Sequence, residues 1–126
     1  MDMRTPLNRA RGYGSTKDGA GHWWAQRITG VALVPLTIWF VVSSISLVGA
    51  DYAAFKAWVG SFGNAVLMIV FIVSLFHHAQ LGLQVVIEDY VHRESYKVVS
   101  LVAVKFVLYL CAASSLVAVL KFALGN

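Results

Sequence analysis

The sequence predicts an all-α integral membrane protein, a three-helix anchor, from its composition and its length. Of its 126 residues, 59% are hydrophobic and only 13% are charged, whereas charged residues make up about a quarter of a soluble domain. The mean hydropathy is +0.71. At about 20 residues for each membrane span, the chain can form three or four helices. It leaves no room for a separate soluble catalytic domain.

Three apolar runs separated by short polar segments indicate where the helices lie. We expect them at about residues 26–50, 63–90 and 99–124, because each run can cross a hydrocarbon core of about 30 Å at 1.5 Å per residue. Residues 1–21 mix basic residues and glycines without an apolar period, which predicts a cytoplasmic N-terminal arm. Residues 22–126 are then the transmembrane anchor.

The basic residues predict a cytoplasmic N-terminus and a periplasmic C-terminus. If the chain crosses three times, most cations share one side, namely Arg4, Arg9, Arg11, Lys17, Arg27, Arg93 and Lys97. Lys56 and Lys121 remain on the other side. Basic residues concentrate on the cytoplasmic side of membrane proteins. Since the charges flank apolar runs instead of forming a patch, no nucleic-acid partner is expected.

The segment from Phe76 to His92 contains polar groups that are costly to place in a membrane unless they are paired. On a helix, His78, Gly82, Val85 and Asp89 share one face. An imidazole can ligate haem iron, and a glycine one turn away lets the flat macrocycle approach the backbone. A neutral histidine that forms a hydrogen bond to a neighbouring helix is the alternative.

Arg27, Asp89 and Tyr90 are expected at the same membrane surface, where they could converge. A tyrosine hydroxyl next to a guanidinium can donate a hydrogen bond to a quinone carbonyl and stabilise the negative charge that develops during reduction. The alternative is an aromatic belt with a surface ion pair. The residues alone leave both interpretations open.

A single chain of this kind lacks a second haem ligand. His22 and His92 flank the membrane instead of opposing a mid-membrane histidine, which argues against an independent cytochrome b. A different class is a small proton-coupled membrane transporter that uses His77, His78 and Glu88 as a relay. Three helices enclose little space for a transport pathway, however, and the chain has none of the internal repeats common in transporters.

The pattern His-x-x-x-Gly-x-x-x-Val-x-x-Asp-Tyr, which runs from His78 to Tyr90, occurs together with Arg-Ile-Thr-Gly from Arg27. In these motifs and in its length the chain resembles the hydrophobic membrane-anchor subunit of bacterial succinate dehydrogenase. The resemblance implies a subunit without catalytic residues of its own, located in the bacterial inner membrane. Its complex would belong to the respiratory chain and the tricarboxylic acid cycle.

The resemblance also implies roles for single residues. His78 would be the axial ligand of haem b and its iron, in preference to His77, with Gly82 packing on the haem. Arg27 would lie near the haem propionates and the quinone pocket. Tyr90 would hydrogen-bond ubiquinone, supported by Asp89.

The partners that the resemblance implies are a cytochrome b anchor subunit, an iron-sulfur subunit and a flavoprotein subunit. The haem would be shared with the cytochrome b subunit, which would supply the second ligand. Electrons would pass from the iron-sulfur subunit to ubiquinone. The chain would therefore contribute part of a site that several polypeptides complete.

Overall fold

The computed structural model describes residues 13–125, with side chains from Ala20 onward. This part of the chain is helical, with α1 at Tyr13–Ser46, α2 at Tyr52–Gly60, α3 at Phe62–Tyr90 and α4 at Glu94–Ala123. Three segments are long and apolar enough to cross a membrane, namely Ala20–Ser46 within α1, all of α3 and all of α4. The prediction of an all-α membrane protein with three spanning helices is confirmed.

The first helix differs from its expected bounds at both ends. It was expected near residues 26–50, but α1 begins at Tyr13, so the second part of the expected arm is helical. The first 12 residues of that arm lie outside the described part of the chain. Glycines at positions 14, 19 and 21 weaken a helix by about 1 kcal/mol each. Extending a helix that the apolar run has nucleated is nevertheless easier than starting one.

The short helix α2 was not expected from the sequence, which indicated only a polar break near residues 51–56. Asp51 caps it, because its carboxylate accepts a hydrogen bond from the backbone N–H of Ala54 at 2.8 Å. Gly49 makes the preceding turn with φ +84°, a conformation that favours glycine. With nine residues, α2 is too short for apolar periodicity to reveal it.

The central helix α3 organises the packing. Both α1 and α4 pack against it and share at most a marginal contact with each other, while α2 covers the adjacent ends of α3 and α4. On the α1 side, the rings of Phe40 and Phe71 stack with centroids 4.9 Å apart. On the other side, a buried cluster joins α2, α3 and α4, consisting of Val59, Ala65, Ile72 and Val119.

The last helix begins at Glu94, earlier than the expected residue 99. Glu94 lies in its first turn, where a carboxylate interacts favourably with the helix dipole. The outward faces of α1 and α4 carry exposed apolar side chains such as Val31, Val34 and Phe106. Such faces are stable against lipid or other apolar helices, so the chain is a multi-pass membrane protein.

Candidate functional site

The two adjacent histidines of α3 have different surroundings. His78 is half-buried and faces α1, whereas the side chain of His77 is exposed. The difference follows from helix geometry, because consecutive residues are separated by about 100° around the axis. The structure therefore brings only His78 into the contact between α1 and α3.

His78 contacts two consecutive residues of α1. Its Nδ1 lies 3.1 Å from the hydroxyl oxygen of Thr29. A Cβ atom at Gly30 would come within 3.2 Å of the imidazole Cε1, closer than most side-chain contacts, so the glycine allows the ring to lie against the backbone of α1. The hydrogen bond with Thr29 is the only one of this imidazole among the described residues.

A ladder of side-chain hydrogen bonds follows α3 from the buried Gln80 toward the end of the helix. Gln80 Nε2 donates to Gln84 Oε1 at 3.1 Å, and Gln84 Nε2 donates to Glu88 Oε1 at 3.1 Å. The residues are four apart, so they lie one above the other on one face. Only 4% of Gln80 is exposed, and the ladder satisfies one of its amide donors.

A cleft of about 560 Å³ opens between α1 and α3 next to this ladder. Its walls include His22, Trp23, Gln26 and Arg27 from α1 and Leu81, Gly82, Gln84, Val85 and Glu88 from α3. Arg27 is exposed, and its guanidinium lies 4.8 Å from the centroid of the Trp23 ring. The buried Oε1 of Gln26 has no hydrogen-bond partner among the described residues. The cleft thus offers a cation, and an unsatisfied polar atom is buried in its wall.

Asp89 and Tyr90 occupy the last turn of α3 and are both exposed. Neither lines the cleft that contains Arg27, and Glu88 is the acidic residue that does. The possible convergence of Arg27, Asp89 and Tyr90 is therefore not seen within this chain. Tyr90 has 77% of its surface exposed, so its hydroxyl is open to a ligand or a partner chain.

Sequence reasoning missed several residues of this site. Thr29 was noticed only as part of a motif, and Gln26 and Gln80 were assigned no role. The spacing of Gln80, Gln84 and Glu88 could have revealed the ladder, because residues four apart meet on a helix. No sequence pattern could have paired Thr29 with His78, since that contact depends on the relative positions of two helices.

The fold and this site define a class of protein, a three-helix membrane anchor with a histidine at a helix contact and a polar cleft between two of its spanning helices. A family model for the succinate dehydrogenase/fumarate reductase transmembrane subunit matches residues 1–112. The chain belongs to this family. No solved structure matches it.

Relatives with similar sequences include succinate dehydrogenase hydrophobic membrane anchor subunits from several bacteria. The one from Rickettsia bellii is 30% identical over 118 residues, which cover 94% of each chain. The one from Rickettsia conorii is 34% identical over 92 residues, or 71% of this chain and 72% of its own. The one from Paracoccus denitrificans is 30% identical over 90 residues, or 71% and 70%.

The family match supports the role of membrane-anchor subunit of succinate dehydrogenase. It also agrees with a multi-pass location in a bacterial inner membrane. The proton-transporter alternative is not favoured. Among the described residues, the three members of its relay do not bind one another, since His77 is exposed, His78 meets Thr29 and Glu88 accepts from Gln84.

Proposed function

We propose that this chain anchors a succinate dehydrogenase and contributes one axial ligand of haem b and part of the ubiquinone-reduction site. The observation that carries the proposal is the setting of His78, a half-buried imidazole in a membrane-length helix held by one hydrogen bond to α1. A buried polar group in a membrane is retained when it has a partner or a function. Haem b, when bound, would supply one-electron redox chemistry.

His78 does not line the cleft that contains Arg27 and Gly82, so the fit of these residues to a haem group rests on their chemistry. A neutral imidazole with one nitrogen engaged by the protein has its second nitrogen available for iron. Arg27, exposed in the cleft two residues before Thr29, would pair with a propionate or with a group in the quinone pocket. Gly82 lines the same cleft, and its lack of a side chain leaves room for a flat ring. The second axial ligand would come from the cytochrome b anchor subunit.

Tyr90 and Asp89 are the proposed contribution to the ubiquinone site. Both are exposed at the end of α3, where a partner subunit could complete a pocket. The tyrosine hydroxyl would donate a hydrogen bond to a quinone carbonyl, and this bond strengthens as negative charge develops on the oxygen. Asp89 would support the site from the adjacent position. In this proposal, electrons reach the quinone from the iron-sulfur subunit, and the chain has no catalytic residue of its own.

The proposed complex contains a cytochrome b anchor subunit, an iron-sulfur subunit and a flavoprotein subunit. The exposed apolar faces of α1 and α4 provide surfaces that could pack against the second anchor. The cytoplasmic side would be that of Arg27 and Arg93, which agrees with the excess of basic residues there. The C-terminus would then be periplasmic. In this proposal, residues 1–21 form the cytoplasmic arm and residues 22–126 form the transmembrane anchor.

The direct test is purification of the complex through an affinity tag on this chain. The partner polypeptides are identified, and a reduced-minus-oxidised spectrum is recorded for the wild type and for the matched variants His78→Ala and His77→Ala. We expect His78→Ala to lose the haem b signal, because iron loses a ligand, and His77→Ala to retain it. Loss only in His77→Ala would show that the ligand is misassigned. Loss in neither variant would remove haem ligation from this chain.

A further inference from the structure

The hydroxyl of Thr29 donates its hydrogen to a backbone carbonyl within α1. Its oxygen lies 2.7 Å from the carbonyl oxygen of Ala25 and 3.2 Å from that of Gln26. A carbonyl oxygen only accepts hydrogen bonds, so at these distances the hydroxyl must be the donor. Toward any further neighbour, the Thr29 oxygen can therefore act only as a hydrogen-bond acceptor.

The third neighbour of the Thr29 oxygen is Nδ1 of His78, at 3.1 Å. Since the hydroxyl offers a lone pair on this side, Nδ1 must carry the hydrogen and donate it. A neutral imidazole has one protonated nitrogen. The unprotonated nitrogen, which is the one that can bind a metal, is therefore Nε2.

Gly30 reinforces this arrangement from the next position of the chain. A Cβ atom there would approach the imidazole Cε1 to 3.2 Å, so the ring lies directly against the α1 backbone. Cε1 is bonded to both ring nitrogens, and contact there limits how the ring can rotate. The pair of Thr29 and Gly30 thus sets both the tautomer and the position of His78.

We propose that Thr29 is a positioning residue that fixes the Nδ1–H tautomer of His78 and thereby presents Nε2 to haem iron. This inference rests on the proposed role of His78 as an axial ligand. A hydrogen bond from the far nitrogen of a ligating histidine orients the ring and raises its basicity. Greater basicity favours the oxidised iron, so the hydroxyl also lowers the haem midpoint potential.

The test uses the whole complex purified through this chain, with the variants Thr29→Val, Thr29→Ser and Thr37→Val. Valine removes the hydroxyl with little change in shape, serine keeps it, and Thr37 is an exposed threonine two turns further along α1. Three quantities are measured: haem per complex, the rate of haem transfer to a haem-scavenging protein, and the midpoint potential from a redox titration.

We expect Thr29→Val to lower haem affinity by about 10- to 100-fold, the usual effect of losing such a partner, and to shift the potential upward. Thr29→Ser and Thr37→Val should behave like the wild type. Complete loss of haem in Thr29→Val with retention in Thr29→Ser also supports the role of the hydroxyl.

Two results would overturn the inference. Wild-type affinity and potential in Thr29→Val would show that the hydroxyl is not needed. Equal loss of haem in Thr29→Val and Thr29→Ser would assign the effect to packing instead. The proposed function is checked separately in His78→Ala. If this variant loses haem while Thr29→Val is silent, only the inference fails, whereas retained haem in His78→Ala overturns both.

Discussion

Two glycines at the contact between α1 and α3 serve different purposes. At Gly30 an added Cβ would meet the imidazole of His78 at 3.2 Å, whereas at Gly82 it would meet Gln26 Nε2 at 3.6 Å. The first distance is tighter than normal packing and the second is an ordinary contact. In the folded chain, an alanine at position 30 would force the His78 ring to shift, whereas an alanine at position 82 would meet only an ordinary contact. If glycine is needed at position 82, the reason would be a group bound in the cleft that this residue lines.

At the scale of single residues, Tyr90 gives a clear prediction. Tyr90→Phe should lower succinate-quinone reductase activity by about 10- to 100-fold, because a hydrogen bond to a group that becomes charged is lost. Succinate oxidation with an artificial soluble acceptor should not change, since that reaction bypasses the quinone. Both activities are measured on the purified complex.

The matched control for this prediction is Tyr96→Phe. Tyr96 is also exposed, lies on the same side of the anchor and contacts Arg93. It should leave both activities at the wild-type level. Unchanged quinone reduction in Tyr90→Phe would remove the proposed quinone role from that residue.

At the scale of elements, α2 lies between α1 and α3 in the chain and packs against the adjacent ends of α3 and α4. Gly60 ends α2, and a Cβ atom there would lie 3.2 Å from the backbone oxygen of Phe122 in α4. Backbone atoms cannot rotate aside as a flexible side chain can. The close approach of α2 and α4 therefore depends on the missing side chain at Gly60.

We accordingly expect Gly60→Ala to destabilise the anchor by about 1–3 kcal/mol, the usual cost of forcing atoms into a packed contact. The measurement is the denaturation midpoint of the purified complex in mild detergent. Gly63→Ala is the control, because a Cβ atom at Gly63 meets nothing within 4 Å. Since alanine favours a helix over glycine, this control should be neutral or slightly stabilising. Equal midpoints for both variants would contradict the proposed tight contact.

The sequence predicted the three long helices, with the bounds of α3 closer than those of α1, but it did not predict the short helix α2. Apolar length is enough to identify a spanning helix, and α3 was expected at residues 63–90 and observed at Phe62–Tyr90. α2 depends on the local cap at Asp51 and on burial of Val59, and only the burial of Val59 is a feature of three-dimensional contact. The candidate site was likewise predicted only in part. Helical periodicity predicted that His78 and Gly82 share one face of α3, but it could not predict that Thr29 of α1 is the partner of His78.

At the scale of the whole molecule, the three spanning helices form an open arrangement instead of a closed bundle. Within the most apolar window of each helix, 28% of α3 is buried but only 6% of α1 and of α4. Most of the apolar surface of the outer helices therefore faces away from this chain. Lipid and partner subunits must cover it, which suits an anchor that works as part of a larger assembly.

The proposed orientation can be tested on this scale. In a Cys111→Ser background, which removes the only native cysteine of this chain, Ser95→Cys and Ala53→Cys lie at opposite ends of the spanning helices and are both exposed. A membrane-impermeant maleimide added to intact right-side-out vesicles should label Ala53→Cys only. Ser95→Cys should react after the membrane is permeabilised. The reverse pattern would place the N-terminus outside.

The amide ladder of α3 matters for whether protons can move along this part of the helix. Polar side chains that cross part of a bilayer can leak protons down the electrochemical gradient if each one can both accept and release a proton. Gln80 and Gln84, which link to Glu88, carry amides that have no titratable proton at ordinary pH. The ladder therefore satisfies polar side chains of α3 without a titratable group at its two inner positions, Gln80 and Gln84.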